Sequence, residues 1–361
     1  MEAVKKLFIA ISAVLVWTAI PVVSANAVSV GQSCAKTTLG TRVSTRINNK
    51  PVIVVCRIKA GRKQWIRAAV QTPVTTTTST TSTTSTTTTV PQPVISYTDV
   101  VDPVDPTLHT ITIEGMQPRT YYLNVPPKYT KNTPSPLLLA FHGLGGSAST
   151  FGNTSQVNLY YKDLNFILVT PQGWGSEVRQ QNSWNAGKCC APANNIDIDD
   201  VEFVRAILDS ISKNYSIDNS RIWAMGYSNG GMMSYRLACE LSERISAIGV
   251  GGGALMLNTC SPPRPVSIIH IHGNLDSTIP FNGGGIYNVA PVIDSFKTVN
   301  AANLCSEMAF EFVSDSLSES TIASCQGVTK VYLINYLDQS HDWNTSWTKE
   351  ILRFLFALPR K

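Results

Sequence analysis

From about residue 108 onward, short apolar runs alternate with stretches whose apolar residues recur at helical spacing. HTITIE and TYYLNV read as an opening antiparallel pair, each strand turning alternate residues to opposite faces. PLLLAF, NFILVT, RIWAMG, ISAIGV, VSIIHI and KVYLIN are near-continuous β-rich runs, the pattern of strands buried on both faces. Between them DDVEFVRAILDSISKNY places Val201, Val204, Leu208 and Ile211 on one helical face, with Asp199 and Asp200 where an N-terminal cap is favoured. GMMSYRLACELSERI and the final NTSWTKEILRFLFAL read as two more helices. Strands alternating with helices predict an α/β fold, a mostly parallel central sheet covered by helices.

The first 93 residues follow different rules. Lys5 and Lys6 precede the apolar run LFIAISAVLVWTAIPVV, which ends at Ala25-Asn26-Ala27. Pro21 and the small-residue step favour a cleaved signal peptide over residues 1–27 rather than a membrane anchor, so export is expected and no transmembrane segment in the mature chain. Residues 28–72 read as a small β-hairpin module, with Cys34 and Cys56 flanking the turn-like NNKP and the run PVIVVC. About forty residues is near the limit of what a hydrophobic core can hold, so a Cys34–Cys56 disulfide is expected to staple it. Residues 73–93, dominated by TTTTSTTSTTSTTTT, cannot bury apolar surface and form an extended, solvated linker. Residues 94–361 form the large α/β domain.

Composition adds an asymmetry. The 361 residues are 43% hydrophobic and 15% charged, a globular balance, with a formal net charge of +5. Residues 28–72 hold Lys36, Arg42, Arg46, Lys50, Arg57, Lys59, Arg62, Lys63 and Arg67 without one Asp or Glu, a charge of +9. Subtracting that and the +1 of the first 27 residues leaves −5 for the rest. A basic head on an acidic body argues against general nucleic-acid affinity and for contact of the head with an anionic cell-wall polymer or particle, unless the charges merely solvate it. No C-x-x-C pair or His/Cys cluster suggests zinc or a redox motif. The six cysteines of the large domain are therefore expected in disulfides. Cys305 and Cys325 flank a polar, looping segment and make a natural pair. A bond between adjacent Cys189 and Cys190 would be strained, so each is expected to pair with Cys239 or Cys260, in an open order.

The string that carries chemistry is Gly226-Tyr227-Ser228-Asn229-Gly230, a G-x-S-x-G between the strand RIWAM and a helix. A serine on such a sharp turn holds its hydroxyl above the sheet edge, and side chains at either glycine would obstruct neighbouring backbone. Ser228 needs a base, and in this context the acid and then the histidine follow the serine. That removes His109 and His142, while His270 and His272 lie in or beside the strand VSIIHIHG, before the best acid. His341, after the last strand, remains. Asp276 in HGNLDSTIP is the best-placed acid; Asp294 falls in a helical pattern, Asp315 in a polar loop, and Asp338 only three residues before His341. The oxyanion is assigned to the backbone N–H groups of Leu144, in FHGLGGS after PLLLAF, and of Asn229. HGLGG lacks the G-K-[ST] ending of a phosphate-binding loop. Trp174, Trp184, Tyr227, Phe281 and Trp343 fall in loops expected around the serine; Tyr227, Phe281, Trp343 and Trp184 are substrate-contact candidates, with rim packing the alternative.

HGLGG, SWNAGKCCAPA, IDDVEFVRAILDSI, GYSNGGMMSYRLACE, HIHGNLDSTIPFNGGG and SHDW, in this order over roughly residues 108–357, resemble the secreted family of polyhydroxybutyrate depolymerases and feruloyl esterases. The resemblance implies an α/β-hydrolase fold, carboxylic-ester hydrolysis, no metal and no organic cofactor, with Ser228, Asp276 and His341 at the catalytic positions. One departure concerns the histidine: where the family has G-H-x-W-P, this chain has Ser340 and, in place of the proline, Asn344. The function expected is that of a secreted serine esterase acting on a polymeric ester, either polyhydroxyalkanoate or feruloyl or acetyl esters of polysaccharide. A cell-envelope acyltransferase on the same fold and a noncatalytic surface-binding protein remain as alternatives.

Overall fold

The computed structural model describes residues 42–47, 50–59, 62–67, 96–102, 105, 107–175, 181–305, 318–325 and 327–359. The signal-peptide and linker assignments, and Cys34 with its expected bond to Cys56, lie outside them. The basic head is an antiparallel meander of β1 (Arg42–Ile47), β2 (Lys50–Lys59) and β3 (Arg62–Arg67), in sheet order β1-β2-β3. Ile47 pairs with Lys50 and Lys59 with Arg62. The third strand, RKQWIR, exceeds the expected hairpin, because its cations interrupt the apolar run that would announce it.

The larger body holds β4 (Tyr97–Val101), β5 (Leu108–Ile113), β6 (Arg119–Asn124), β7 (Ser135–Phe141), β8 (Ile167–Pro171), β9 (Ile217–Tyr227), β10 (Ala247–Gly251), β11 (Ser267–Gly273), β12 (Ser318–Ser324) and β13 (Lys330–Tyr336). Its helices are α1 (Ala148–Thr154), α2 (Tyr161–Leu164), α3 (Asp200–Asn214), α4 (Asn229–Glu240), α5 (Val292–Ala302) and α6 (Thr345–Ala357). One sheet runs β12-β13-β11-β10-β9-β7-β8-β6-β5-β4. The pairings from β13 through to β8 are parallel, and antiparallel strands flank them on both sides. Edge strands β4 and β12 were not announced by apolar runs: YTDVV and SESTIAS are too polar to signal burial, and an edge needs only one partner.

Strand periodicity explains why helices cover both faces. In β7, Leu137, Leu139 and Phe141 join a core with Val204, Ile207 and Ile211 of α3, Tyr235 and Leu237 of α4, and Phe296 of α5. Leu138 and Ala140 turn the other way, into a core with Phe151 of α1 and Trp347, Ile351 and Leu355 of α6. The predicted α3 begins as expected: the Asp199 side chain accepts from the Glu202 N–H at 2.9 Å. A Cβ on Gly249 would lie 2.4 Å from Ile351 Cγ2, so glycine in β10 is what allows α6 to approach the sheet.

The disulfides correct one expectation. Cys239 bonds Cys260, with Cα atoms 5.0 Å apart, while Cys189 and Cys190 bond each other. The two pairs have different surroundings. Cys189 and Cys190 are buried with Met232, Ala254 and Met256, whereas Cys260 packs against the α3–α5 core. Cys305 bonds Cys325, which closes onto the end of β12, so part of the segment read as a loop is an edge strand.

A buried ion pair ties the antiparallel wing to α3. Arg119 Nη1 donates to Asp200 Oδ1 and Nη2 to the Gln172 carbonyl at 2.8 Å, while Asp200 Oδ2 accepts from the Asn185 N–H at 2.7 Å. The guanidinium also lies 3.8 Å from the centre of the Phe203 ring. Arg119→Met leaves the Asp200 carboxylate buried and uncompensated, and is expected to cost about 3–5 kcal/mol. Urea unfolding followed by tryptophan fluorescence measures it; a loss below about 1 kcal/mol would mean that Asp200 does not depend on Arg119.

Candidate active site

Adjacent parallel strands end level with one another, with Phe141 beside Gly226, Gly226 beside Val250, Val250 beside His270, and His270 beside Leu333. The loops beyond these carboxyl ends carry Gly143 and Leu144, Ser228, Asp276 and His341. Ligands of open parallel sheets are met at this edge.

Ser228 sits between β9 and α4 with φ 52° and ψ −119°, a conformation side-chain-bearing residues rarely adopt. Packing holds it there. A Cβ on Gly226 would lie 2.2 Å from the Gly230 carbonyl oxygen, and one on Gly230 would lie 2.2 Å from that of Phe141. The Ser228 N–H donates to Gly251 O at 2.8 Å, fixing the turn to β10. The neighbouring Asn229 side chain clamps Trp184 from both sides, accepting from its N–H at 2.7 Å and donating to its carbonyl at 3.0 Å.

His341 bridges serine and acid. Its Nε2 is 2.9 Å from Ser228 Oγ and its Nδ1 is 2.5 Å from Asp276 Oδ2. The other carboxylate oxygen, Oδ1, accepts from the N–H groups of Thr278 at 2.9 Å and Ile279 at 2.7 Å. Burial works against the charge, yet the neighbouring His272 and His341 N–H groups and that of Ile279 outweigh it and hold the Asp276 carboxyl well below the usual carboxylate range. The carboxylate thus stays charged and the imidazole keeps Nε2 free to accept from the serine hydroxyl.

Asn229 is the first residue of α4, where N–H groups lack an intrahelical partner. On the opposite side the loop after β7 presses on the serine: a Cβ on Gly143 would lie 3.1 Å from the Tyr227 ring and 3.5 Å from Ser228 Cβ. Leu144 follows directly and is 42% exposed. His142 anchors that loop from below. Its Nδ1–H donates to Gly143 O at 2.7 Å, its Nε2 accepts from the Gly173 N–H at 3.0 Å, and its carbonyl accepts from Trp184 Nε1–H at 2.9 Å.

The aromatic candidates separate by burial. Trp184 is fully enclosed and packs on Phe141 and His142, so it holds the loops together rather than facing substrate. Tyr227 is half-buried; its hydroxyl donates to the His341 carbonyl at 2.6 Å, a brace for the histidine loop that its position within G-x-S-x-G did not signal. Trp343, also half-buried, donates to Thr348 Oγ1 at 3.2 Å and lies edge-on to Phe151, Tyr227 and Trp347. Phe281 stands edge-on to His272. The departure at Asn344 has a structural use: its side chain accepts from the Ser346 N–H at 2.9 Å and caps α6, whose N-terminus directly follows the histidine loop. Among the described residues no three His, Cys, Asp or Glu side chains group as metal ligands, and no helix is long and apolar enough to cross a membrane.

The sequence profile of the phospholipase/carboxylesterase family matches residues 128–319, a span that includes Ser228 and Asp276 and ends before His341. The chain belongs to this family. The fold is that of the α/β-hydrolases. The chain is 31% identical over 176 residues to feruloyl esterase B of Piromyces equi, covering 46% of this chain and 31% of that protein. It is 31% identical over 172 residues to a probable feruloyl esterase C of Aspergillus oryzae, covering 48% and 60% respectively. The matched segment thus spans less than two thirds of the length of either relative. The solved acetyl xylan esterase from Aspergillus awamori aligns over 73% of this chain and 100% of its own, at 16% identity and a TM-score of 0.49.

His142 makes the fold acid-sensitive. Burial, reinforced by the Arg119 charge and opposed by the bond to Gly143 O, lowers its pKa from 6.5 to about 4. The unfolded chain therefore takes up this proton first, so stability is lost as pH falls from about 6.5 to about 4, in total on the order of 3 kcal/mol, with no further loss from this group below that. Melting temperatures across this window are expected to fall, and His142→Gln to flatten the slope. An identical slope in the variant would place the acid sensitivity elsewhere.

Proposed function

We propose that this chain is an exported serine esterase that hydrolyses carboxylic esters through Ser228, His341 and Asp276. The observation that carries the reading is the continuous chain from Ser228 Oγ to His341 Nε2 at 2.9 Å and from His341 Nδ1 to Asp276 Oδ2 at 2.5 Å. Ser228 Oγ attacks the ester carbonyl while His341 Nε2 takes its proton, and the Asp276 carboxylate stabilises the imidazolium. The N–H groups of Leu144 and Asn229 receive the oxyanion. Collapse breaks the bond to the alkoxy oxygen, which leaves as the alcohol with the proton from His341. Water then repeats the sequence on the acyl-enzyme, releasing the acid and restoring the serine.

The feruloyl esterases among the relatives support feruloyl or related acyl esters as substrate, and we propose that these are carried on a polysaccharide. Exposed Leu144 and Leu275, which flank the loops of the site, supply apolar surface suited to such a group. The +9 head is proposed to hold the enzyme on an anionic surface, an attraction that salt would screen.

Ser228→Ala is expected to lower ester turnover by roughly a thousandfold or more with the circular dichroism spectrum unchanged, and His341→Ala to be as damaging. Near-normal turnover of a folded Ser228→Ala protein would remove the nucleophile assignment. A panel of aryl esters, methyl ferulate, acetylated xylan and polyhydroxybutyrate film identifies the ester; transfer of the acyl group to added sugar in preference to water would make the protein an acyltransferase instead. For the head, the mature protein is expected to be retained on anionic cell-wall particles at low salt and released as salt rises. Retention indifferent to salt would leave the cations a merely solvated face.

A further inference from the structure

Behind Asp276 lies a buried line of polar groups that runs from Tyr235 through His270 to His272. Tyr235 Oη is 2.7 Å from His270 Nδ1, His270 Nε2 is 3.0 Å from His272 Nδ1, and His272 Nε2 is 2.7 Å from the Ile279 carbonyl oxygen and 3.4 Å from Asp276 Oδ2. All three side chains are fully buried. Protein interiors close-packed with apolar residues gain nothing from two adjacent imidazoles unless each ring atom is matched.

The protons can be placed by working backwards. Ile279 O only accepts, so His272 Nε2 carries the hydrogen and, in the neutral ring, Nδ1 accepts. His270 Nε2 must then donate, which leaves His270 Nδ1 to accept from the Tyr235 hydroxyl. Every donor in the line points toward Asp276. Its far end lands on the turn whose Thr278 and Ile279 N–H groups grip Asp276 Oδ1, and its N–H faces the oxygen that His341 uses.

We propose that His272 is a positioning residue for Asp276, held in its Nε2–H tautomer by Tyr235 and His270, so that the carboxylate presents Oδ2 to His341 in a fixed rotamer. The proposal rests on the serine-esterase reading above. In the opposite tautomer a lone pair would face both Ile279 O and Asp276 Oδ2, repelling the turn that carries the acid. The contact with Asp276 Oδ2 is long, so the effect runs through the 276–279 turn and the local field, as for outer-sphere partners that orient a catalytic group.

The test uses the full chain, with kcat and KM measured on p-nitrophenyl acetate and normalised to sites titrated by a phosphonate that labels Ser228. His272→Phe is expected to lower kcat per titrated site about ten- to a hundredfold with KM within about twofold, and His272→Gln, which restores an N–H, to recover most of it. Tyr235→Phe keeps the volume, removes the first donor and is expected to lower kcat about two- to fivefold. Nitrogen-15 spectra of labelled histidines are expected to show His270 and His272 protonated at Nε2 and the tautomer disturbed in Tyr235→Phe. A merely structural role changes the number of titrated sites and leaves kcat per site alone. Parental kcat per site in both His272→Phe and Tyr235→Phe, or a proton on Nδ1 of either ring in the parent, overturns the proposal; if His272→Phe does not fold, Tyr235→Phe and the spectra decide. Failure of the esterase reading is separate, since it would appear as turnover in Ser228→Ala while the tautomers are still read directly.

Discussion

One backbone crossing sets the geometry of the site. At the β9–α4 turn the Gly230 carbonyl occupies the space a Cβ of Gly226 would need, and the Phe141 carbonyl occupies the space a Cβ of Gly230 would need. Between these close approaches Ser228 takes a positive φ, and the cost of that conformation, of order 1–3 kcal/mol, is met by the surrounding packing. The result is a hydroxyl that stands above the sheet edge with little freedom to retreat. The loop after β7 then has one place to lie, against Tyr227 and Ser228 Cβ, because Gly143 has no side chain to hold it off.

The rest of the site is a set of loops fastened to that turn by polar groups. His142 ties the β7 loop to Gly173, Trp184 ties it to the segment before α3, and the Asn229 side chain ties Trp184 back to the Ser228 turn. Tyr227 fastens the His341 loop from the other side. Most of these groups are deeply buried, where an unmatched donor or acceptor costs roughly 1–3 kcal/mol, so breaking one bond strands its partner as well. The loops of the site are thereby fastened to the sheet, the kind of fixed geometry that the proposed reaction requires.

Much of this was legible in the sequence because it rests on local pattern. The parallel strands read as unbroken apolar runs since both faces of the sheet are covered, and Asp199 announced the start of α3 by its capping chemistry. Ser228, Asp276 and His341 could be nominated together because strand–turn–helix punctuation and chain order restrict the choices, and the structure brings these three within hydrogen-bond reach. Nothing local marked β4 or β12, whose polar sequences are tolerated at a sheet's edges. Cys305–Cys325 was legible, but the pairing among the other four was hidden: the partner of Cys239 depends on which core the loop carrying Cys260 packs against, a long-range fact that spacing does not encode.

The buried histidines show why position in a strand is a poor guide to role. VSIIHIHG reads as an apolar strand with two polar interruptions, and His270 and His272 alternate with Ile269 and Ile271 so that both rings point to the same face. That face is the one carrying α4, whose Tyr235 meets His270, while Asp276 leaves the end of the same strand. A period-two pattern therefore brings three polar groups from two elements into one line that ends at the Ile279 carbonyl, beside Asp276. The strand supplies the spacing, the helix supplies the first proton donor, and the turn at Ile279 supplies the final acceptor, so the direction of every hydrogen bond in the line is fixed by a carbonyl at its end.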